Sequence, residues 1–149
     1  MAYLPQHLPA ATALTAAELI NMGRYAWSGL LGRSSKADKQ AVAEAFARTH
    51  TEKFADQIVD TLSGGERSRI WLAMCLAQQS RFLLLDEPLT SLDVVVAEEM
   101  KQLLRSLKQD RITIFSTHIM DLALDLCDEI VLLNHGELEV VEKTDLDSR

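Results

Sequence analysis

Two acidic residues close an apolar run, Phe82-Leu83-Leu84-Leu85-Asp86-Glu87-Pro88, and His118 follows a second short run, Ile112-Thr113-Ile114-Phe115-Ser116. If both runs are parallel strands, Asp86, Glu87 and His118 converge on one edge, because an open α/β sheet binds ligands beyond the carboxyl ends of its strands. The chemistry open to such a group is phosphoryl transfer. An aspartate that ends a buried strand is suited to hold Mg²⁺, commonly through water. A neighbouring glutamate can orient and deprotonate an attacking water, and a histidine can contact a terminal phosphate. Taken alone, Asp-Glu-Pro is equally a pair of solvated acids in a loop after a strand.

Leu62-Ser63-Gly64-Gly65-Glu66 lies upstream of that strand. Ser63, Gly64 and Gly65 open a helix whose free backbone N–H groups, small residues and hydroxyl suit a phosphate. The same residues form an ordinary helix start, with Ser63 as N-cap and Glu66 at N3 in a capping box. Both readings can hold together.

The elements that must position these residues can be read from periodicity and breakers. Thr15 to about Trp27 suits a short helix, with Thr15 and Glu18 as a capping box. Gly29, Gly32 and Ser34-Ser35 mark a loop, and an Ala-rich helix runs from Lys36 or Ala37 to Thr49. No strand is expected in this front section beyond a fragment ahead of Pro5. A helix from about Glu66 to Gln79 leads into strand 82–86, and a helix near 94–108 carries Val96, Met100, Leu103, Leu104 and Leu107 at helical spacing. Then follow strand 112–116, a helix over 119–127 and strand 130–133. Asn134-His135-Gly136 turns the chain into a hairpin partner over 137–141, and a polar, frayed tail begins at Glu142. Strands alternating with helices imply an α/β fold with a mostly parallel sheet covered on both faces.

At 149 residues, 48% of them apolar and 25% charged, the chain is long enough for one globular domain. A net charge of −7 and an aromatic share of 5% argue against a nucleic-acid partner. Trp71 at helical spacing is expected in the core. Cys75 and Cys127 make no disulfide framework, which favours a reducing, cytoplasmic setting. His7, His50 and His135 lie apart from the cysteines, so no metal-ligand spacing emerges. Asp121, Asp125, Asp128 and Glu129 fall on one solvated helix face. No run approaches the ~20 apolar residues of a membrane span.

Taken in order, Leu-Ser-Gly-Gly-Glu-Arg, a helix, four apolar residues, Asp-Glu-Pro, Ser91-Leu92-Asp93 and Thr117-His118 resemble the ATP-binding cassettes of ABC transporters. The resemblance runs from Gln6 to about Val141. It implies a partial P-loop NTPase core with parallel strands plus an N-terminal helical subdomain. Residues 1–61 would be the Q-loop and helical subdomain, 62–141 the signature helix and the back of the ATPase core, and 142–149 a polar tail. It implies Leu62 to Glu66 as signature motif, Phe82 to Asp86 as Walker B strand, and Glu87 and His118 as catalytic residues. Asp93 falls in the D-loop, and Gln6 falls at the Q-loop glutamine, a metal contact together with Asp86. The implied cofactors are ATP and Mg²⁺, and Ser63, Gly64, Gly65, Glu66, Asp93 and Gln6 are the implied nucleotide contacts. The implied partners are a second cassette and a transmembrane permease, which would hold the chain at the inner face of the membrane.

Within that family, Leu4 to Ala11, Met22 to Trp27 and Val59 to Arg67 resemble ATPases of ferric-siderophore importers, the ferric-hydroxamate type above all. Ser116 to Asp121 and Cys127 to Gly136 are more similar to ABC-2 type ATPases, with the change of character near Asp86-Glu87-Pro88.

A phosphate-cradling loop reads G-x-x-x-x-G-K-[ST], and no Gly-Lys pair occurs in this sequence. Gly29 to Ser34 has the wrong spacing. The resemblance places the P-loop ahead of the Q-loop, hence ahead of Met1, and implies a chain that cannot cradle its own nucleotide. The alternative is a non-catalytic structural chain, natural or engineered, that keeps the fold without the hydrolysis.

Overall fold

The computed structural model describes residues 1–29 and 31–146. The chain divides by packing into two units, 1–116 and 117–149, a break that falls after the third strand.

The first unit is built on three parallel strands, β1 (Ala2–Leu4), β2 (Phe82–Asp86) and β3 (Ile112–Ser116), in that spatial order. Leu4 pairs with Leu85 and Asp86 with Ser116, so the carboxyl ends of all three lie along one edge. One face of the sheet, with Ala2, Leu4, Leu83 and Leu85, is buried. Helix α4 (Gly64–Ala77) packs on β1. The other face is not covered as expected: Tyr3, Phe82, Ile112 and Ile114 are 48–57% exposed. Alternation of strands and helices predicts two covered faces only when enough helices flank the sheet. In this unit α4 takes one face and also packs against α1 (Ala16–Met22) and α3 (Lys36–Thr49).

The single helix expected from Thr15 to Trp27 is two: α1 ends at Met22, and a short α2 (Tyr25–Ser28) follows. The break has a packing cause. A Cβ on Gly23 would lie 2.4 Å from the Met74 carbonyl oxygen, so α1 ends where it meets the backbone of α4. Arg24 then turns into the core. Its Nε donates to Asp38 Oδ1 at 2.9 Å, and Nη1 donates to Ala77 O at 2.8 Å, capping the end of α4. The Thr15 cap also differs from expectation. Thr15 Oγ1 accepts the Glu18 N–H, but Glu18 answers the Thr15 hydroxyl rather than its backbone N–H, so no reciprocal box forms.

Helix α5 (Val94–Leu107) buries Met100, Leu103, Leu104 and Leu107 as its spacing requires. The second unit holds α6 (Met120–Leu126), a hairpin of β4 (Ile130–Asn134) and β5 (Glu137–Val141), and α7 (Lys143–Leu146). His135 and Gly136 both have positive φ, 49° and 87°, as a tight two-residue hairpin turn demands. Of the expected frayed tail, Lys143–Leu146 form a helical turn tied back by Lys143 Nζ donating to Leu124 O; 147–149 lie outside the described residues, as does Leu30 in the Gly29–Ser34 stretch.

Candidate active site

Asp86 ends β2, and Gln6 stands exposed two residues beyond the end of β1 on the same edge. Ser116, register partner of Asp86, donates its hydroxyl to Asp86 Oδ1 at 2.6 Å and accepts the Glu87 N–H at 3.1 Å. One hydroxyl therefore fixes both acidic residues. Glu87 has φ +47°, the left-handed region that a non-glycine residue occupies at a cost of order 1–2 kcal/mol. Its carboxylate is held by Thr90, whose Oγ1 donates to Oε2 at 3.0 Å, while the Thr90 N–H closes a turn on Glu87 O. Pro88 and Leu89, between them, are buried and anchor the loop. Ser116 and Thr90 were not singled out in the sequence for these roles, because the register that pairs Ser116 with Asp86 is not visible there.

At the start of α4, Ser63 Oγ accepts the Glu66 N–H at 3.3 Å, and the Ser63 N–H donates to Glu66 Oε1 at 3.1 Å. The capping box is present in full. A helix leaves its first N–H groups without intrahelical partners. The box satisfies those of Ser63 and Glu66, leaving those of Gly64 and Gly65 for an anion. The capping and phosphate readings are thus compatible, with Glu66 spent on the cap.

The two glycines differ. A Cβ on Gly65 would sit 2.4 Å from Val96 Cγ1, whereas one on Gly64 would meet nothing within 4 Å. Gly65 is required by the fold, since it lets the first turn of α4 meet the first turn of α5. Gly64 faces open space. Asp93 caps α5 by accepting the Val96 N–H at 3.0 Å, so the Asp93 carboxylate and the Gly64-Gly65 pair stand on adjoining helix starts.

His118 belongs to the second unit, where it is exposed and precedes a turn in which the Ile119 N–H donates to Thr117 Oγ1. Among the described residues, no group of three or more His, Cys, Asp or Glu side chains forms a metal cluster. The oxygen donors at the strand edge, Asp86 and Gln6, fit a hard divalent cation that keeps most of its water and takes one or two protein ligands.

The fold is that of an ABC-type P-loop NTPase core. The profile of the ABC transporter family matches residues 1–90, and the chain belongs to that family. It is 41% identical over 135 residues to the "Probable siderophore transport system ATP-binding protein YusV" of Bacillus subtilis, covering 89% of this chain and 49% of that protein. It is 37% identical over 137 residues to the achromobactin transport ATP-binding protein CbrD of Dickeya dadantii, covering 91% and 51%. With the iron(3+)-hydroxamate import ATP-binding protein FhuC of Bacillus subtilis it shares 36% over 138 residues, covering 91% and 51%. The chain spans about half the length of the curated relatives it matches. A solved inward-facing structure of an ABC transporter described as metal-chelate type superposes with a TM-score of 0.88 at 25% identity, over 97% of this chain and 59% of that one. No helix among the described residues is long and apolar enough to cross a membrane.

Proposed function

We propose that the chain is part of the ATP-binding subunit of an ABC importer of ferric siderophores, peripheral at the inner membrane face through a permease, and that it works against a second cassette. The observation that carries this reading is the Asp86–Ser116–Glu87 arrangement at the strand edge, set beside relatives whose names specify siderophore transport. In it, Asp86 and Gln6 hold Mg²⁺, which when bound neutralises charge on the terminal phosphates. Glu87, fixed by Thr90, orients and deprotonates the attacking water. His118 contacts the terminal phosphate. Ser63, through its hydroxyl, and the Gly64 and Gly65 N–H groups meet the nucleotide carried by the opposite cassette. Residues 1–61 act as Q-loop and helical subdomain, and 62–141 as signature helix and catalytic core.

Positioning and electrostatics supply nearly all of phosphoryl-transfer catalysis. Without a Gly-Lys phosphate cradle in its sequence, the chain by itself is expected to turn over Mg-ATP no faster than background. The test is a phosphate-release assay at saturating Mg-ATP on the wild type and on Glu87→Gln. Turnover typical of an intact cassette, abolished in Glu87→Gln, overturns the inactivity. For the transport reading, disruption of the gene should stop uptake of ⁵⁵Fe-loaded hydroxamate siderophore; undiminished uptake overturns it.

A further inference from the structure

The starts of α4 and α5 meet through one side chain. Val96, in the first turn of α5, fills the space that a side chain at position 65 would take: a Cβ there would lie 2.4 Å from Cγ1, 3.2 Å from Cγ2 and 3.3 Å from Cβ of Val96. The Val96 N–H is also the donor that Asp93 Oδ1 accepts at 3.0 Å. A single residue therefore joins the Asp93 cap to the backbone of Gly65. Gly65 is buried, while Gly64 ahead of it is exposed.

The first turn of α5 has few other supports among the described residues. The residues of α5 that are fully buried begin at Met100. Ahead of them Val94 and Val95 are 86% and 70% exposed, and Glu98 and Glu99 are exposed too. Arg69 of α4 stands 3.6 Å from Glu99, whose side chain is open to solvent, and ion pairs of that kind contribute little. The turn therefore rests on the Asp93 cap and on Val96. The opening of α4 has the opposite need. It is a pair of glycines, the residues that lose most conformational freedom on folding. The Ser63–Glu66 box and the bond from the Arg67 N–H to Ser63 O, at 2.8 Å, close the turn around them. Behind Gly65 itself stands Val96.

We infer that Val96 is a positioning residue for the start of α4: it backs Gly65, and so makes the rigidity of the Gly64 and Gly65 N–H groups depend on the Asp93 cap of the adjoining helix. Drawing the Asp93 carboxylate off its cap frays the first turn of α5, withdraws Val96 and loosens the glycine pair. By the same coupling, an anion that fixes the glycines holds the cap in place. The functional weight of this link rests on the nucleotide-facing role proposed for Gly64 and Gly65, where a small misplacement is costly. The link itself needs no nucleotide, so it stands or falls separately from that role.

The test is NMR on the ¹⁵N-labelled full chain without nucleotide, reading the order parameters of Gly64 and Gly65 and the hydrogen exchange of the Arg67 amide. Asp93→Ala and Val96→Ala should each lower the Gly65 order parameter from the rigid range, about 0.85, toward about 0.6. Each should also speed Arg67 exchange, by up to about fivefold, the factor that corresponds to a lost N-cap. Together they should do no more than the larger single change, because they act in series. Asp93→Asn keeps a capping oxygen and Val96→Thr keeps the branched shape at Cβ, so both should match the wild type. Leu104→Val weakens α5 from its buried side and should move neither readout, which separates positioning from a general loss of stability. Three results overturn the link: a Gly65 order parameter unmoved by Val96→Ala, an Asp93→Ala effect of equal size with and without the Val96 side chain, or the same response to Leu104→Val.

Discussion

Replacing Gly65 by alanine tests whether one of the two glycines that open α4 is there for packing. The new Cβ would lie 2.4 Å from Val96 Cγ1, with Cγ2 at 3.2 Å and Cβ at 3.3 Å. Carbon atoms pack at about 3.5–4.0 Å, so the methyl starts more than 1 Å inside the Val96 side chain. Relief requires either an off-rotamer Val96, at roughly 0.5–1.5 kcal/mol, or a displaced first turn of α5, whose Asp93 cap resists it. Overpacking of this kind costs about 1–3 kcal/mol. Alanine returns up to about 1 kcal/mol of helix propensity. The net expectation is a loss of about 1–2 kcal/mol. Gly64→Ala meets no atom, gains the same propensity and should be neutral or slightly stabilising.

The assay is urea unfolding followed by circular dichroism, with m-values checked for constancy across the series. The decisive comparison is the double mutant with Val96→Ala, which removes the two methyls that clash. Gly65→Ala and Val96→Ala should couple by roughly 1–3 kcal/mol, with the double variant more stable than the sum predicts. Additivity within about 0.5 kcal/mol, or a Gly64→Ala cost equal to that of Gly65→Ala, would refute the assignment.

Four further outcomes follow from the same geometry. Ser116→Ala removes the hydroxyl shared by Asp86 and the Glu87 N–H, and should cost about 0.5–1 kcal/mol at this exposed position, with Ser116→Thr recovering most of it; no change in urea midpoint would count against the shared bond. Asp38 is held below its ordinary 3.8 by the Ser35 N–H and by Arg24, so its folded value is depressed and its contribution is complete above that value and fades as pH falls through the folded one. The stability difference between wild type and Arg24→Met should therefore stay constant from neutral pH down to about 4 and shrink below it; a difference that shrinks between pH 7 and 5 contradicts this. Cys75 is buried, its thiol pushed up to about 12 by that burial and its Sγ donating to Tyr3 O, so thiol reagents at pH 8 should label Cys127 alone until the chain unfolds. Glu87→Gly gives up the Thr90 bond but relieves about 1–2 kcal/mol of left-handed strain, and should unfold at no lower urea concentration than wild type.

Much of this was legible in the residues because each signal was local and strong. The α3 and α5 spans, β2, β3 and the β4–β5 hairpin follow from periodicity, caps and the His135-Gly136 turn. The Ser63–Glu66 box is written in adjacent residues. What could not be read depends on partners distant in sequence. The break between α1 and α2 is set by Met74, far along the chain from Gly23. Arg24 carries no local signal of burial, yet it is 5% exposed because Asp38 and the carbonyl end of α4 satisfy it. The roles of Ser116 and Thr90 depend on strand register and on a loop conformation that no residue type announces.

The loop after β2 supports the chemical role proposed for the acidic pair. Glu87 and Ser91 both have positive φ, 47° and 65°, and bracket Pro88, Leu89 and Thr90. A connection under selection for stability alone would place glycine or asparagine at such positions. Glutamate at 87 accepts the strain, and the surroundings are built to hold it there: Pro88 and Leu89 are buried, Thr90 grips the carboxylate, and Ser116 takes the backbone N–H. Asparagine could satisfy the backbone, but its side chain is shorter and carries no charge. The strained conformer sets a carboxylate immediately beside Asp86 at the carboxyl edge of the sheet, the edge at which this class of fold meets its ligands. Solvated acids in a loop would need none of these restraints, so the restraints, more than the Asp-Glu dipeptide, are what support the role proposed for Glu87.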